Sequence, residues 1–266
     1  ELLYIKPSGV ALATIEAEDF LPLKRSHLSK IFSFPADLSE LELEALFQAT
    51  VQGSILPGSS GRPSVEAAVH EAFEQAFVVH LHPTLVNALA CSQKGKELCE
   101  QLFPSAIWLD YCNPGCTLAL LVKKSLDSYQ KTLGKAAQIV ILQNHGIFVA
   151  AETCAEIKEI YNEIIAKLAD CCKKAGISKE EVFCAENATN IADTAPALRS
   201  MLGNKDAYRA TLHYCGKGEA FAGPLTPDHI VYAKTFAFSG NCCEKEISNF
   251  KQKYGYLPKV IQLKED

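Results

Sequence analysis

Apolar and polar positions alternate along this chain in two periods. Short continuous apolar runs read as buried strands. The clearest are Phe77-Val78-Val79 and Ile139-Val140-Ile141-Leu142, with Ile147–Ala150 beside the second. Leu3–Ile5 and Val10–Ala13 read as a strand pair about a Pro7-Ser8-Gly9 turn. Between the runs lie helical stripes. Asp37 or Ser39 caps a helix to about Val51, with Leu41, Leu43, Leu46 and Phe47 as its apolar face. Pro63 and Ser64 open another, with the stripe Val65, Ala68, Val69, Ala72 and Phe73. Leu118–Tyr129 reads as a helix. A long helix from about Ala151 to Ala175 holds Ile157, Ile160, Tyr161, Ile164, Ile165 and Leu168 in register. Shorter helices follow near Lys179–Val182 and Pro196–Leu202, then a helix end, a Gly/Pro turn and a short strand over Asn249–Leu263. Strands alternating with helices predict an α/β sandwich.

Histidines sit where two of the predicted strands end. His80 and His82 form H-x-H after Phe77-Val78-Val79, and alternate strand residues face one way, so both imidazoles can meet one ion. His145 follows the 139–142 run and precedes Gly146. Three neutral imidazoles with an open position suit a catalytic divalent metal, most often Zn2+. For an isolated H-x-H, a chance pair is an equal alternative; the third histidine and a nearby carboxylate shift the balance. That carboxylate is Glu66, in the first turn of the helix predicted from Pro63, where the helix dipole favours negative charge. It shares a helix face with His70 at i, i+4. The helix directly precedes the H-x-H strand, and packing of the two brings Glu66 towards His80 and His82.

The ordered motifs R-P-S-V-E-x-x-x-H, V-H-x-H-P, Y-x-x-P-G and Q-N-H-G resemble the class II aldolase/adducin family. Within it, the R-P-S-V-E stretch and the later GPLTPDHIVYAK look most like the aldolase part of L-rhamnulose-1-phosphate aldolases fused to a dehydrogenase, beside the L-fuculose-1-phosphate aldolases. The resemblance implies a three-layer α/β/α sandwich with a central, mainly antiparallel sheet. It implies a catalytic domain over residues 1–235, with 236–266 as an extension. It assigns His80, His82 and His145 to the metal and Glu66 to acid/base work. Tyr111 matches a tyrosine that reaches substrate from a neighbouring subunit, which implies a homo-oligomer, a tetramer first. Ser8, Gly9 and Ser64 match phosphate-pocket positions, although Pro7-Ser8-Gly9 also reads as an ordinary turn. The family's Gly-Asn-x-Ser segment before the first strand is missing ahead of Glu1, so the sequence is expected to be a fragment, and to continue past Asp266. The implied reaction is reversible cleavage of a deoxyketose 1-phosphate to dihydroxyacetone phosphate and an aldehyde such as L-lactaldehyde. A dehydratase or 4-epimerase of the family is the runner-up, and an adducin-like module without chemistry is the non-enzymatic alternative. Such modules lack the histidine set present here.

Composition narrows the rest. The chain has 266 residues, 48% apolar and 21% charged, with a net charge of −5, which argues against a nucleic-acid surface. It has no apolar run of about 18 residues, the length a membrane span requires. The eleven cysteines are scattered and odd in number, without C-x-x-C, and read as reduced thiols of a cytoplasmic enzyme. Cys112 and Cys116 bracket Asn113-Pro114-Gly115, which favours a turn over a zinc site. His213 reads as structural or surface histidine, and His229 stays open between that and the active-site mouth. No G-x-G-x-x-G dinucleotide fingerprint is present.

Overall fold

A computed structural model describes residues 1–177, 191–203, 209–212 and 222–263. The chain forms two compact units, Glu1–Ile164 and Ile165–Asp266. In the first, β1 (Leu2–Ile5) pairs antiparallel with β2 (Leu21–Lys24), Leu3 opposite Leu23. The expected partner, Val10–Ala13, is not a strand. After β1 the Lys6 ammonium donates to the carbonyls of Pro7 and Val10, and Gly9 takes φ +86°. These contacts close a turn where a hairpin return was expected, so the chain comes back to β1 only at Leu21.

Next come α1 (Arg25–Leu28) and α2 (Glu40–Ser54). Ser39 caps α2: its hydroxyl accepts from the Glu42 N–H, while the Glu42 carboxylate accepts from the Ser39 N–H. The buried face is Phe47, Thr50, Val51 and Ser54, whereas Leu41 is 82% exposed. The sequence face was therefore set a turn too early. α3 (Ala67–Glu71) is shorter than expected. Pro63 instead bridges to Pro7, and Glu66 stands at the N-cap rather than in the first turn.

The central sheet follows. β3 (Phe77–Leu81) leads through α4 (Thr84–Ala90) and α5 (Gly95–Leu102) to β4 (Ile107–Leu109). Then α6 (Cys116–Leu133) crosses to β5 (Ile139–Leu142), which turns into β6 (Gly146–Ala151) and α7 (Cys154–Lys174). The strand order is β3-β6-β5-β4. β6 is antiparallel to both neighbours, but β4 and β5 run parallel. The expected mainly antiparallel sheet is thus corrected to a mixed one. The cause is α6: a helix crossover returns the chain in the direction it left, whereas the short β5–β6 turn reverses it.

Both sheet faces are covered. Val140, Leu142, Phe148 and Ala150 join one cluster with Leu28, Phe47, Val69, Ala119 and Val122. The alternate residues Ile141, Ile147, Val149 and Ala151 are equally buried but lie outside that cluster, as do Val86 and Leu89 of α4 and Ile157 and Ile164 of α7. Helix, sheet and helix are therefore stacked in three layers.

The second unit contains α8 (Ile191–Leu202), α9 (Pro227–Ala233), β7 (Phe238–Gly240), α10 (Glu244–Tyr254) and β8 (Ile261–Leu263). β7 and β8 pair in parallel about the α10 crossover, and Leu198, Leu202, Phe238, Ile247 and Phe250 form its core. α10 ends at Gly255, φ +78°, as the Gly/Pro turn predicts. The helix expected near 179–182 and His213 lie outside the described residues. Cys171, Cys172, Cys242 and Cys243 are free thiols. No helix among the described residues is long and apolar enough to cross a membrane.

Candidate metal centre

Two strands and a helix cap converge on one point. His80 lies in β3, opposite Phe148 of β6, and His82 follows β3 directly. β5 ends at Leu142, and Asn144 adopts the left-handed conformation, φ 56°, which asparagine tolerates better than most residues. That turn reverses the chain and brings His145 beside the H-x-H pair. One ring nitrogen from each of His80, His82 and His145 lies within 4.8 Å of the others. Gly146 is required by closeness: a β-carbon there would meet His82 Cδ2 at 2.4 Å and the Leu81 carbonyl oxygen at 2.7 Å.

Neighbours fix the ring orientations. His80 Nδ1 is 3.0 Å from the Ile147 carbonyl oxygen, which can only accept, so the Nδ1 proton is committed there. Its Nε2 then presents a lone pair to the cluster, the form a metal needs. The His80 ring stacks on Phe148 with centroids 4.0 Å apart. His70 packs edge-on against Phe148, behind the cluster. Burial, and then the charge His80 would carry, push the His70 imidazole down to about 4, so it stays neutral.

Glu66 completes the set. Its Oε2 is 3.2 Å from His80 Nε2, and its Oε1 is 2.9 Å from His145 Nε2. Burial would raise this carboxyl. Where those two rings are protonated, the hydrogen bonds and charges of His145 and His80 outweigh burial and hold it below the usual carboxylate range. Glu66 is therefore a buried carboxylate, 8% exposed, set against the histidine nitrogens. His80 and His82 also bring their Nε2 atoms to 2.9 Å. Converging imidazole nitrogens beside a buried carboxylate form a donor set that fits a divalent cation.

The other expected residues are placed differently. The Ser8 N–H donates to the Arg62 carbonyl at 2.8 Å, and Pro7 bridges Pro63. The Ser64 hydroxyl accepts from the Glu66 N–H at 3.2 Å. The Ser8-Gly9 turn is thereby tied through the 62–64 segment to the cap that carries Glu66. Tyr111 is 58% exposed, and its hydroxyl donates to Asn113, not to a histidine of the cluster. Its N–H is held by the Gln143 side chain at 2.9 Å, within the same turn that presents His145. His229 lies in α9 of the second unit, where its N–H donates to the capping Thr226 hydroxyl. Sequence reasoning passed over Phe148, the Ile147 carbonyl and Gln143, because each acts through a contact across strands or loops that no spacing encodes.

Residues 1–172 match the family described as the Class II Aldolase and Adducin N-terminal domain, and the chain belongs to that family. Among curated proteins it is similar to the "Uncharacterized oxidoreductase YuxG" of Bacillus subtilis (strain 168), 23% identical over 255 residues. That alignment takes in 88% of this chain but 35% of YuxG, so the chain spans about a third of the relative's length. Among solved structures it is similar to the N-terminal class II aldolase domain of a conserved protein from Thermoplasma acidophilum, with TM-score 0.54 and 20% identity. That match covers 64% of this chain and 74% of the other, and it carries the fold alone.

Proposed function

We propose that this chain is a metal-dependent aldehyde-lyase that cleaves a deoxyketose 1-phosphate of the L-rhamnulose or L-fuculose type. The products are dihydroxyacetone phosphate and an aldehyde such as L-lactaldehyde, and residues 1–235 are taken as the catalytic part. The observation that carries this reading is the convergence of Glu66 with His80, His82 and His145. These three histidines would hold the ion, assigned as Zn2+. When bound, it supplies Lewis-acid stabilisation of negative charge developing on the substrate's carbonyl and hydroxyl oxygens.

The chain's own groups do the rest. Glu66, already ionised, takes the proton from the carbon acid in the condensation direction and returns it in cleavage. The Tyr111 hydroxyl, exposed on its own subunit, exchanges the aldehyde-side proton at a neighbour's site in a cytoplasmic homotetramer. Ser8, Gly9 and Ser64 receive the phosphate, on a turn already tied to the Glu66 cap. YuxG is named an oxidoreductase, but this chain matches 35% of it, and lyase chemistry is assigned to this part alone.

The test is product analysis of the metal-loaded protein with a panel of ketose 1-phosphates. Dihydroxyacetone phosphate and lactaldehyde are expected, and only with metal. A dehydrated or epimerised product would replace the lyase with its dehydratase or epimerase relative. A metal-loaded protein inert to the whole panel would point to a module without chemistry.

A further inference from the structure

Tyr161 stands out among residues the proposed reaction does not use. It lies in α7, inside a stripe otherwise built from Ile157, Ile160, Ile164 and Ile165. The sequence pattern asks only for an apolar ring there. A hydroxyl at such a part-buried position costs free energy unless it is hydrogen-bonded. It is: Tyr161 donates to the Val79 carbonyl at 3.0 Å, across 82 residues of sequence. Burial pushes the phenol's pKa up, so it remains a donor throughout the ordinary pH range.

Val79 is the residue before His80, and its carbonyl belongs to the peptide plane that enters His80. Rotation of that plane reorients His80 within β3 and carries His82, which follows the strand directly. β6 already constrains this stretch through the Ile147 carbonyl on His80 Nδ1, the stack on Phe148 and the close approach of Gly146 to His82. The Tyr161 hydroxyl adds a contact from a helix that is not part of the sheet. We propose that Tyr161 is a positioning residue of the metal centre, fixing the Val79–His80 peptide so that the H-x-H nitrogens stay aimed at the ion. This rests on the metal reading of the cluster, not on the identity of the substrate.

The test compares Tyr161→Phe with Tyr129→Phe. Phe removes only the oxygen at either site. Tyr129 makes a similar bond to a backbone carbonyl, Ser105, but on the exposed surface. Zn2+ affinity is read by competition with a chromophoric chelator, and ligand angles by the visible spectrum of the Co2+ form. Tyr161→Phe should weaken Zn2+ binding about ten-fold, the lower end of the loss when a group that orients ligands is removed. It should also shift the Co2+ spectrum, while Tyr129→Phe leaves both unchanged. The melting temperature of each metal-free variant establishes that both are folded; if Tyr161→Phe does not fold, Tyr161 is a fold residue and the inference falls. If wild type takes up no ion, the metal reading falls with it. If wild type binds and Tyr161→Phe binds equally with the same spectrum, only the role of Tyr161 is overturned.

Discussion

A β-carbon at position 146 would lie 2.4 Å from His82 Cδ2, far inside van der Waals contact. Gly146→Ala must therefore displace either His82 or the Leu81 backbone. The expected result is a loss of about 1–3 kcal/mol in stability, the usual cost of overpacking, with much lower metal content after chelation and reloading. His82→Ala should lose metal without that packing cost, and elemental analysis separates the two effects. If His82→Ala retains as much metal as wild type, the ligand assignment fails. Glu66 tests chemistry rather than binding. Glu66→Gln keeps the side chain's shape and should cut turnover by about 10²–10⁴ with metal retained. Unchanged turnover would reduce Glu66 to a buried cap residue. The candidate ligands were legible as residues, because H-x-H and Q-N-H-G are local patterns. The role of Gly146 was not, since its partner Leu81 lies across the β3–β6 pair.

At the scale of elements, α3, β3 and β6 are joined by an aromatic stack: His70 against Phe148, and Phe148 against His80. His70 is held near 4, against 6.5 for a free imidazole. The unfolded chain therefore binds a proton that the folded chain refuses between these values. Stability contributed by neutral His70 is present above about pH 6.5 and is lost as the pH falls towards about 4. In metal-free protein, the urea midpoint should fall from pH 6.5 to 5 by more in wild type than in His70→Gln. Expressed as unfolding free energy, the difference should be about 1.5 kcal/mol. Parallel slopes would show that folding leaves the proton affinity of His70 unchanged. Apolar runs located β5 and β6, which are almost wholly buried, and helical periodicity located α7. They misplaced the partner of β1 and the buried face of α2. At β1 the Lys6 contacts decide where the chain turns, whereas the Ser39 cap of α2 fell where the sequence placed it.

For the whole molecule, the position of Tyr111 has a testable consequence. It is 58% exposed with its hydroxyl on Asn113, so a role at its own cluster is not the one its contacts suggest. If it serves a neighbour, inactive Tyr111→Phe and inactive Glu66→Gln subunits should regain activity on mixing, because some interfaces then contain neither defect. Proven subunit exchange without recovery would place both residues in one chain and reject the shared site.

The sequence by itself determined which residues could act as ligands and acids, and the α/β alternation that carries them. Strand-end histidines, a glutamate near a helix start and buried runs are local properties, fixed by side-chain chemistry and periodicity. Tertiary structure decided the rest. It made the sheet mixed, because the α6 crossover returns β5 parallel to β4. It set Glu66 within 3.2 Å of His80 and 2.9 Å of His145, and it hydrogen-bonded a ring in an apolar stripe to the Val79 carbonyl, next to His80. These outcomes depend on contacts between residues far apart in sequence, whose geometry follows from packing and is written in no single segment.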